Sequence, residues 1–442
     1  MTAPNAPDSP SNASASLAPP RGERRGVPGK LSGMMFLQYA VWGVWLQFLA
    51  NYLKAPVAEG GLGFTQSQIG WLLGTAGSLG AITGPFIAGQ VADRYLNAER
   101  ALGLLLLIGG VINFMLAGTT EYTPFLLLSI AYSIVYMPTL SLTNSIAFAN
   151  LSDPERRFPP VRLWGTIGWV VASIAFTKLW LNTADPIVNT QRVADALRVS
   201  GALSILYALY ALFLLPKTPP KNDVRHPLAF AEAFGLLRLR PFLIVTLMAL
   251  PIAMIHQVYF FRAGPFFEEA VGIAKENLGF VFSIGQASEV FFLLILGLFI
   301  KRLGYKWVLI TGALAYAARF GLFAVGQPAA LVIASQLLHG LCYGCFFAGS
   351  FLLVERLAGE SIRHSAQTVF GIIILGLGPI LAAIYNERVL GLFDTVMGDK
   401  TVTDYHKVWA VQAAVALVVA IVLLITFPNR VVEKDASVVP EN

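Results

Sequence analysis

Charge is scarce in this sequence. Only 13% of its 442 residues are Asp, Glu, Lys or Arg, against about 25% in an ordinary soluble domain. So few ionisable groups cannot cover the surface of a soluble chain this long, which points to an integral membrane protein. Cysteine is scarcer still, with two residues, Cys342 and Cys345, inside one apolar run. Their C-x-x-C spacing has neither a second pair nor a His/Asp cluster nearby to complete a metal site. They read as small packing residues of a helix. Hydrolase triads, zinc signatures and phosphate-cradling loops are also missing, and the Gly-rich runs have packing explanations. The expectation is therefore a protein that is not an enzyme, with no cofactor and no metal.

What is present is apolar. Hydrophobic residues make up 56% of the chain and the mean hydropathy is +0.66. A scan for runs of roughly 17 to 25 residues, long enough to cross a bilayer, marks twelve spans. They lie near 31–53, 68–92, 101–119, 124–149, 160–181, 198–216, 241–265, 278–300, 305–326, 329–354, 364–392 and 407–427. The net charge of +6 does not imply nucleic-acid binding, because the bases sort by loop. Arg21, Arg24, Arg25, Lys217, Lys221, Arg225, Arg238, Arg240, Lys301, Arg302 and Lys306 all fall in the tails and even-to-odd loops. By the positive-inside rule that side is cytoplasmic, so both termini are expected inside. Residues 1–30, rich in Ser, Ala, Pro and Asn, read as a disordered cytoplasmic tail rather than a cleaved signal.

Several polar residues stand out against this background. Gln38, Trp42, Trp45, Gln47 and Asn51 mark the first span, too polar for lipid contact alone, with the tryptophans readable as ligand contacts or interfacial anchors. Arg162, Thr166 and Trp169 follow at i, i+4 and i+7 behind Pro159 and Pro160, whose missing amide donors suit a first helical turn. They project a cation, a hydroxyl and an aromatic plane together; the plainer alternative for Arg162 is a membrane-end anchor. The seventh span carries His256, Gln257, Tyr259 and, toward the outer surface, Arg262. Gln286 and Glu289 share a helix face midway along the eighth. An ionisable group at that depth costs roughly 2.5 to 3.5 kcal/mol on insertion scales and marks a functional site by default. Arg319 in the ninth span is a second deep charge, for which an internal ion pair is the expectation.

The stretch Gly89 to Arg94, GQVADR, resembles the G-x-x-x-D-R loop between helices two and three of major facilitator superfamily transporters, and it returns in altered form as GLFIKRLGYK, Gly297 to Lys306. The return implies two six-helix pseudo-repeats meeting at a central site, an all-α major facilitator superfamily fold of twelve transmembrane helices. Bundles over 31–216 and 241–428 would flank a cytoplasmic linker at 217–240, with a cytoplasmic tail at 429–442. Gly89, Asp93 and Arg94 would form the conformational loop.

More distinctive wording lies in YMPTLSLTNSIAF (Tyr136 to Phe148), FPPVRLWGTIGWV (Phe158 to Val170), LQYAVWGVWL (Leu37 to Leu46), ARFGLF (Ala318 to Phe323) and LCYGC (Leu341 to Cys345). In this order these stretches resemble the nucleoside:proton symporter family. The resemblance implies a secondary transporter that moves nucleosides across the cytoplasmic (inner) membrane by alternating access, as proton-coupled import. A facilitator or symporter for another polar solute such as a sugar is the alternative, and a non-transporting receptor a more distant one. Nucleoside, proton and lipid bilayer are the implied partners of a monomer. The substrate-binding residues it implies are Arg162, Thr166, Trp169, Gln257, Gln286, Glu289, Tyr343 and Phe347. Two positions depart from the family pattern: Phe260 stands where a carboxamide is usual, and Ala348 replaces the acid after Phe347. With that acid absent, Glu289 and His256 are the candidates for proton coupling.

Overall fold

A computed structural model describes residues 26–94, 96–152, 154–219, 235–398 and 400–429, without the side chains of 85–94, 154–156, 359–365 and 368. Residues 1–25 of the tail expected at 1–30, and most of the linker expected at 217–240, therefore lie outside the described residues, as does nearly all of 429–442. The rest of that tail departs from the expected disorder, since Val27 to Lys30 open the helix Val27–Gly43. In the N-terminal segment the helices are α1 (Val27–Gly43), α2 (Leu49–Lys54), α3 (Gln66–Arg94), α4 (Ala98–Ala117), α5 (Tyr122–Asn150), α6 (Pro154–Trp180), α7 (Pro186–Val193) and α8 (Asp195–Leu214). The C-terminal segment holds α9 (Arg240–Glu269), α10 (Lys275–Val325), the helical spans α11 (Ala329–Ala358) and α12 (Val369–Phe393), and α13 (Tyr405–Thr426).

Among the described residues, nine helices are long and apolar enough to cross a membrane, α13 being the most apolar at a mean hydropathy of 2.8. The expected count of twelve is not matched one for one: the first two expected spans, on α1 with α2 and on α3, are not among the nine, and the eighth and ninth share α10. The non-helical Gly304 (φ 76°) kinks α10 between these two spans, inside the basic turn KRLGYK. A left-handed residue costs an L side chain roughly 1–2 kcal/mol, which is why glycine sits at this break. The first expected span is interrupted between Gly43 and Leu49, where i→i+3 bonds such as Phe48 N–H to the Trp45 carbonyl (3.2 Å) mix with i→i+4 bonds such as Leu46 N–H to the Trp42 carbonyl (3.2 Å). One small element is not helical: β1 (Asp394–Met397) pairs antiparallel with β2 (Lys400–Thr403), Asp394 opposite Thr403.

Packing follows the apolar faces. In the N-terminal segment α1 lies on α6 and α8, α3 on α5, and α4 on α5 and α8; in the C-terminal segment α10 lies on α11 and α13, and α9 on α12 and α13. The broadest pairings between the segments are α3 with α12 and α6 with α10, and α9 also packs on α2 and α3. Leu179, Phe213, Leu294 and Ile425 remain exposed on the outside, the composition expected of a surface that meets acyl chains.

Polar contacts between the segments gather at the end of the bundle opposite Val27 and Thr426, here called the distal end. Asn51 donates to Glu268 (2.6 Å), Lys54 to Glu269 (2.5 Å), Trp71 to Glu387 (2.9 Å) and Lys178 to Asn277 (2.6 Å). Tyr405 also donates to Glu269 (2.9 Å), and Lys400 of the hairpin reaches Glu59 (2.5 Å). Arg262 was expected toward the outer surface. It does lie at the distal end but is fully buried, its guanidinium forked onto Asp394 (2.8 and 3.0 Å) with Nε donating to Asn386 (2.7 Å). Asn386 in turn donates to the Gln66 carbonyl of α3 (2.6 Å). A buried cation is retained only when its donors are matched, and here the match ties the hairpin to the seam.

Candidate functional site

Helices α6, α9, α10 and α11 carry the expected site residues. The polar line of the first span turns mainly inward: Gln38 is fully buried, donating to Thr139 (2.9 Å) and accepting from Thr143 (3.0 Å). Trp42 packs on Tyr136 (5.9 Å between centroids) and on Trp169 (6.0 Å). This tilted and edge-on aromatic cluster closes the core between α1, α5 and α6. Trp169 is 7% exposed, so its indole faces α1 more than open space, although its Nε1 is buried with no partner.

Arg162 and Thr166, on the same helix, are half-buried. The Arg162 guanidinium lies over the Tyr39 ring at 4.1 Å, a cation–π contact. It also falls within electrostatic reach of Glu289 on α10, as do Tyr39 and Tyr343. The packing of α6 on α10 thus brings a cation from one segment within electrostatic reach of a carboxylate from the other. Gln286 lies one turn from Glu289 and is half-buried. Gln257 on α9 donates to the Leu73 carbonyl of α3 (3.3 Å), so it too spans the seam. Glycine, histidine and aromatic side chains complete the wall. Gly340 lets α11 approach α10 closely, since a Cβ there would lie 2.3 Å from the Ser288 carbonyl oxygen.

That approach delivers His339, which the sequence reading did not single out. Its Nε2 is 3.7 Å from Glu289 Oε2 and its Nδ1 is 2.9 Å from an Arg319 nitrogen. The available signal was spacing, because His339, Tyr343 and Phe347 recur every four residues. The chain between them widens into a π-helical turn, Cys342–Ala348, a feature frequent at functional sites. His256 stacks on His339 (5.8 Å, 15°), receives the edge of Phe347 (5.2 Å) and lies 6.3 Å from Tyr343. Its Nδ1 is 2.8 Å from the Tyr316 hydroxyl.

One sequence expectation changes in this setting. Arg319, expected in an ion pair, has no carboxylate partner among the described residues. It contacts His339 and Gln336, and lies over the Tyr259 ring at 4.2 Å. Ala348 packs with Leu296, Val308 and Cys345 in an apolar cluster. An acid is absent from this position and the surroundings are apolar to match. The side chains of the loop residues Gly89, Asp93 and Arg94 lie outside the described residues; the α3 backbone runs helical through all three. Among the described residues no group of three His, Cys, Asp or Glu could hold a metal.

Comparison with known proteins bears directly on this arrangement. The nucleoside H+ symporter family model matches residues 26–431. The chain belongs to that family. Among its relatives, the xanthosine permease of Escherichia coli (strain K12) is 31% identical over 418 residues, covering 90% of this chain and 95% of that one. The nucleoside permease NupG of the same organism is 28% identical, with 91% and 96% covered. A crystal structure of NupG superposes with a TM-score of 0.78 at 27% identity, over 91% of this chain and 99% of that chain. A D-xylose-proton symporter shares the major facilitator fold, with a TM-score of 0.67 at 14% identity. Like other members of the nucleoside H+ symporter family, the chain is a multi-pass membrane transporter, and proton-coupled nucleoside transport is the activity its family carries.

Proposed function

We propose that this member of the family imports nucleosides across the cytoplasmic membrane, with both termini inside and the residues 31–216 and 241–428 acting as two six-helix bundles that rock about a central site. The observations that support this most are the packing of α6 on α10, with Arg162 within electrostatic reach of Glu289, and Gln257 bridging the α9–α3 seam. Polar groups drawn from both segments around one point are what alternating access requires, since closure then depends on the ligand. Arg162, Thr166, Gln286 and Glu289 would hydrogen-bond sugar hydroxyls and a base edge, and Gln257 would exchange its Leu73 bond for the ligand. Tyr343 and Phe347 would pack on the base, while Trp169 supports the wall behind Thr166.

In the proposed cycle Glu289 takes up the coupled proton, because the acid usual after Phe347 is Ala348 here. Protonation removes a charge from the site before the bundles occlude it, which lowers the desolvation cost of the moving state. The distal contacts of Asn51 and Lys54 would keep the outer side shut meanwhile. The loop at Gly89, Asp93 and Arg94 would act on the opposite side.

Uptake of radiolabelled uridine and adenosine into proteoliposomes, with and without an inward proton gradient, tests this reading. Gradient-driven accumulation is expected. Absence of uptake of any nucleoside by folded protein would overturn the substrate, and gradient-independent uptake would overturn symport.

A further inference from the structure

Arg319 is fully buried, permanently charged, and its nearest described acceptors are an imidazole nitrogen and a carboxamide oxygen, His339 Nδ1 (2.9 Å) and Gln336 Oε1. A guanidinium can only donate. His339 Nδ1 must therefore be the unprotonated, accepting nitrogen, and the single ring proton of the neutral imidazole resides on Nε2. That Nε2 faces Glu289 Oε2 at 3.7 Å, a distance that a small rotation of the carboxylate closes to a hydrogen bond. A second proton on the ring would have to enter at Nδ1, directly against the Arg319 N–H. The geometry opposes a charged His339 for as long as Arg319 stays in place.

We propose that His339 is a positioning residue for proton coupling: Arg319 locks its tautomer, and its Nε2–H holds ionised Glu289 at the site, while the coupled proton itself binds the carboxylate. The proton adds to a Glu289 oxygen on loading and returns from it to water on release, and the imidazole keeps one proton throughout. Every element packed around His339 fits this assignment. From α9, His256 and Tyr259 present ring faces at 5.8 and 5.9 Å. The two arms of α10 contribute Glu289 and Arg319, with Tyr316 turned to His256 rather than to His339. Arg162 of α6 lies within electrostatic reach of Glu289. Glu289 thus has a donor 3.7 Å away on its own segment and a cation within electrostatic reach on the other, and protonating it weakens its attraction to both at once. The proposal rests on the nucleoside-symport reading above.

The test uses full-length protein in proteoliposomes with uridine and adenosine as probes, comparing wild type, His339→Gln, His339→Leu, Glu289→Gln and the double variant Glu289→Gln/His339→Gln. A glutamine side chain can accept from Arg319 through its carbonyl and donate to Glu289 through its amide, but it carries no proton in this pH range. His339→Gln is expected to retain gradient-driven accumulation within about threefold, with an unchanged pH midpoint of uptake. His339→Leu is expected to lose tenfold or more in accumulation, to shift that midpoint, and to keep measurable nucleoside exchange. In the Glu289→Gln background the His339→Gln change should add no further effect.

Loss of accumulation in His339→Gln with intact exchange would make the imidazole the proton carrier and overturn the proposal. Normal accumulation with an unshifted midpoint in His339→Leu would equally overturn it. If His339→Leu does not fold, the His339→Gln outcome still decides. Failure of the nucleoside reading is separate, since wild type itself would then show no uptake.

Discussion

Lys54, at the end of α2, donates to Glu269, at the end of α9, at 2.5 Å, and Tyr405 binds the same carboxylate at 2.9 Å. The lysine is 6% exposed at its side chain and the glutamate 42%, so the pair is wet on one side and dry on the other. Removing Glu269 strands a largely buried ammonium, whereas removing Lys54 leaves a carboxylate that water can reach. Glu269→Gln is therefore expected to disturb the distal seam more than Lys54→Met. A double-mutant cycle on thermal stability in detergent should give a coupling of about 1 kcal/mol or more. Additive effects would show that the contact does not fasten the segments.

Glu289→Gln is expected to abolish concentrative uptake while leaving equilibrative exchange measurable. The amide keeps shape and hydrogen-bonding capacity but cannot gain or lose a proton in the working range. Unchanged accumulation against a proton gradient would remove Glu289 from coupling.

Gln257→Ala should weaken nucleoside binding about tenfold, the roughly 1.4 kcal/mol that corresponds to losing a well-placed polar contact. Isothermal calorimetry on purified protein reads the change directly. Because Gln257 also donates to the Leu73 carbonyl, the same variant should lower the melting temperature only slightly, that carbonyl being a backbone acceptor on α3 with its helical environment intact. An unaltered dissociation constant would place the ligand elsewhere.

Arg262→Met should be the most destabilising of these substitutions. It removes a forked pair whose partners are Asp394, 10% exposed at its side chain, and the fully buried Asn386. Breaking such a pair costs about 3–5 kcal/mol, mostly from the charge left behind. Arg262→Met combined with Asp394→Leu should recover part of the loss. Lys at position 262 should not, because an ammonium cannot span both carboxylate oxygens and Asn386. Thermal unfolding followed by intrinsic fluorescence would check the order of the three variants.

The sequence alone carried the class, and it marked the candidate site residues. A chain so apolar must place its spans in lipid, where only backbone-satisfied helices survive, and the depth of Glu289 within one span marks it without any coordinates. Helical spacing likewise grouped Gln286 with Glu289 and Arg162 with Thr166, because that periodicity is local. Tertiary structure decided which elements face one another. Which partner Arg319 finds, that His339 lies between it and Glu289, that Arg262 is buried on Asp394, and that Trp169 turns to α1 all depend on helix crossings between distant parts of the chain. Those crossings are set by glycines such as Gly340 that fix how near two backbones come, a relation between helices that the periodicity of one helix does not contain.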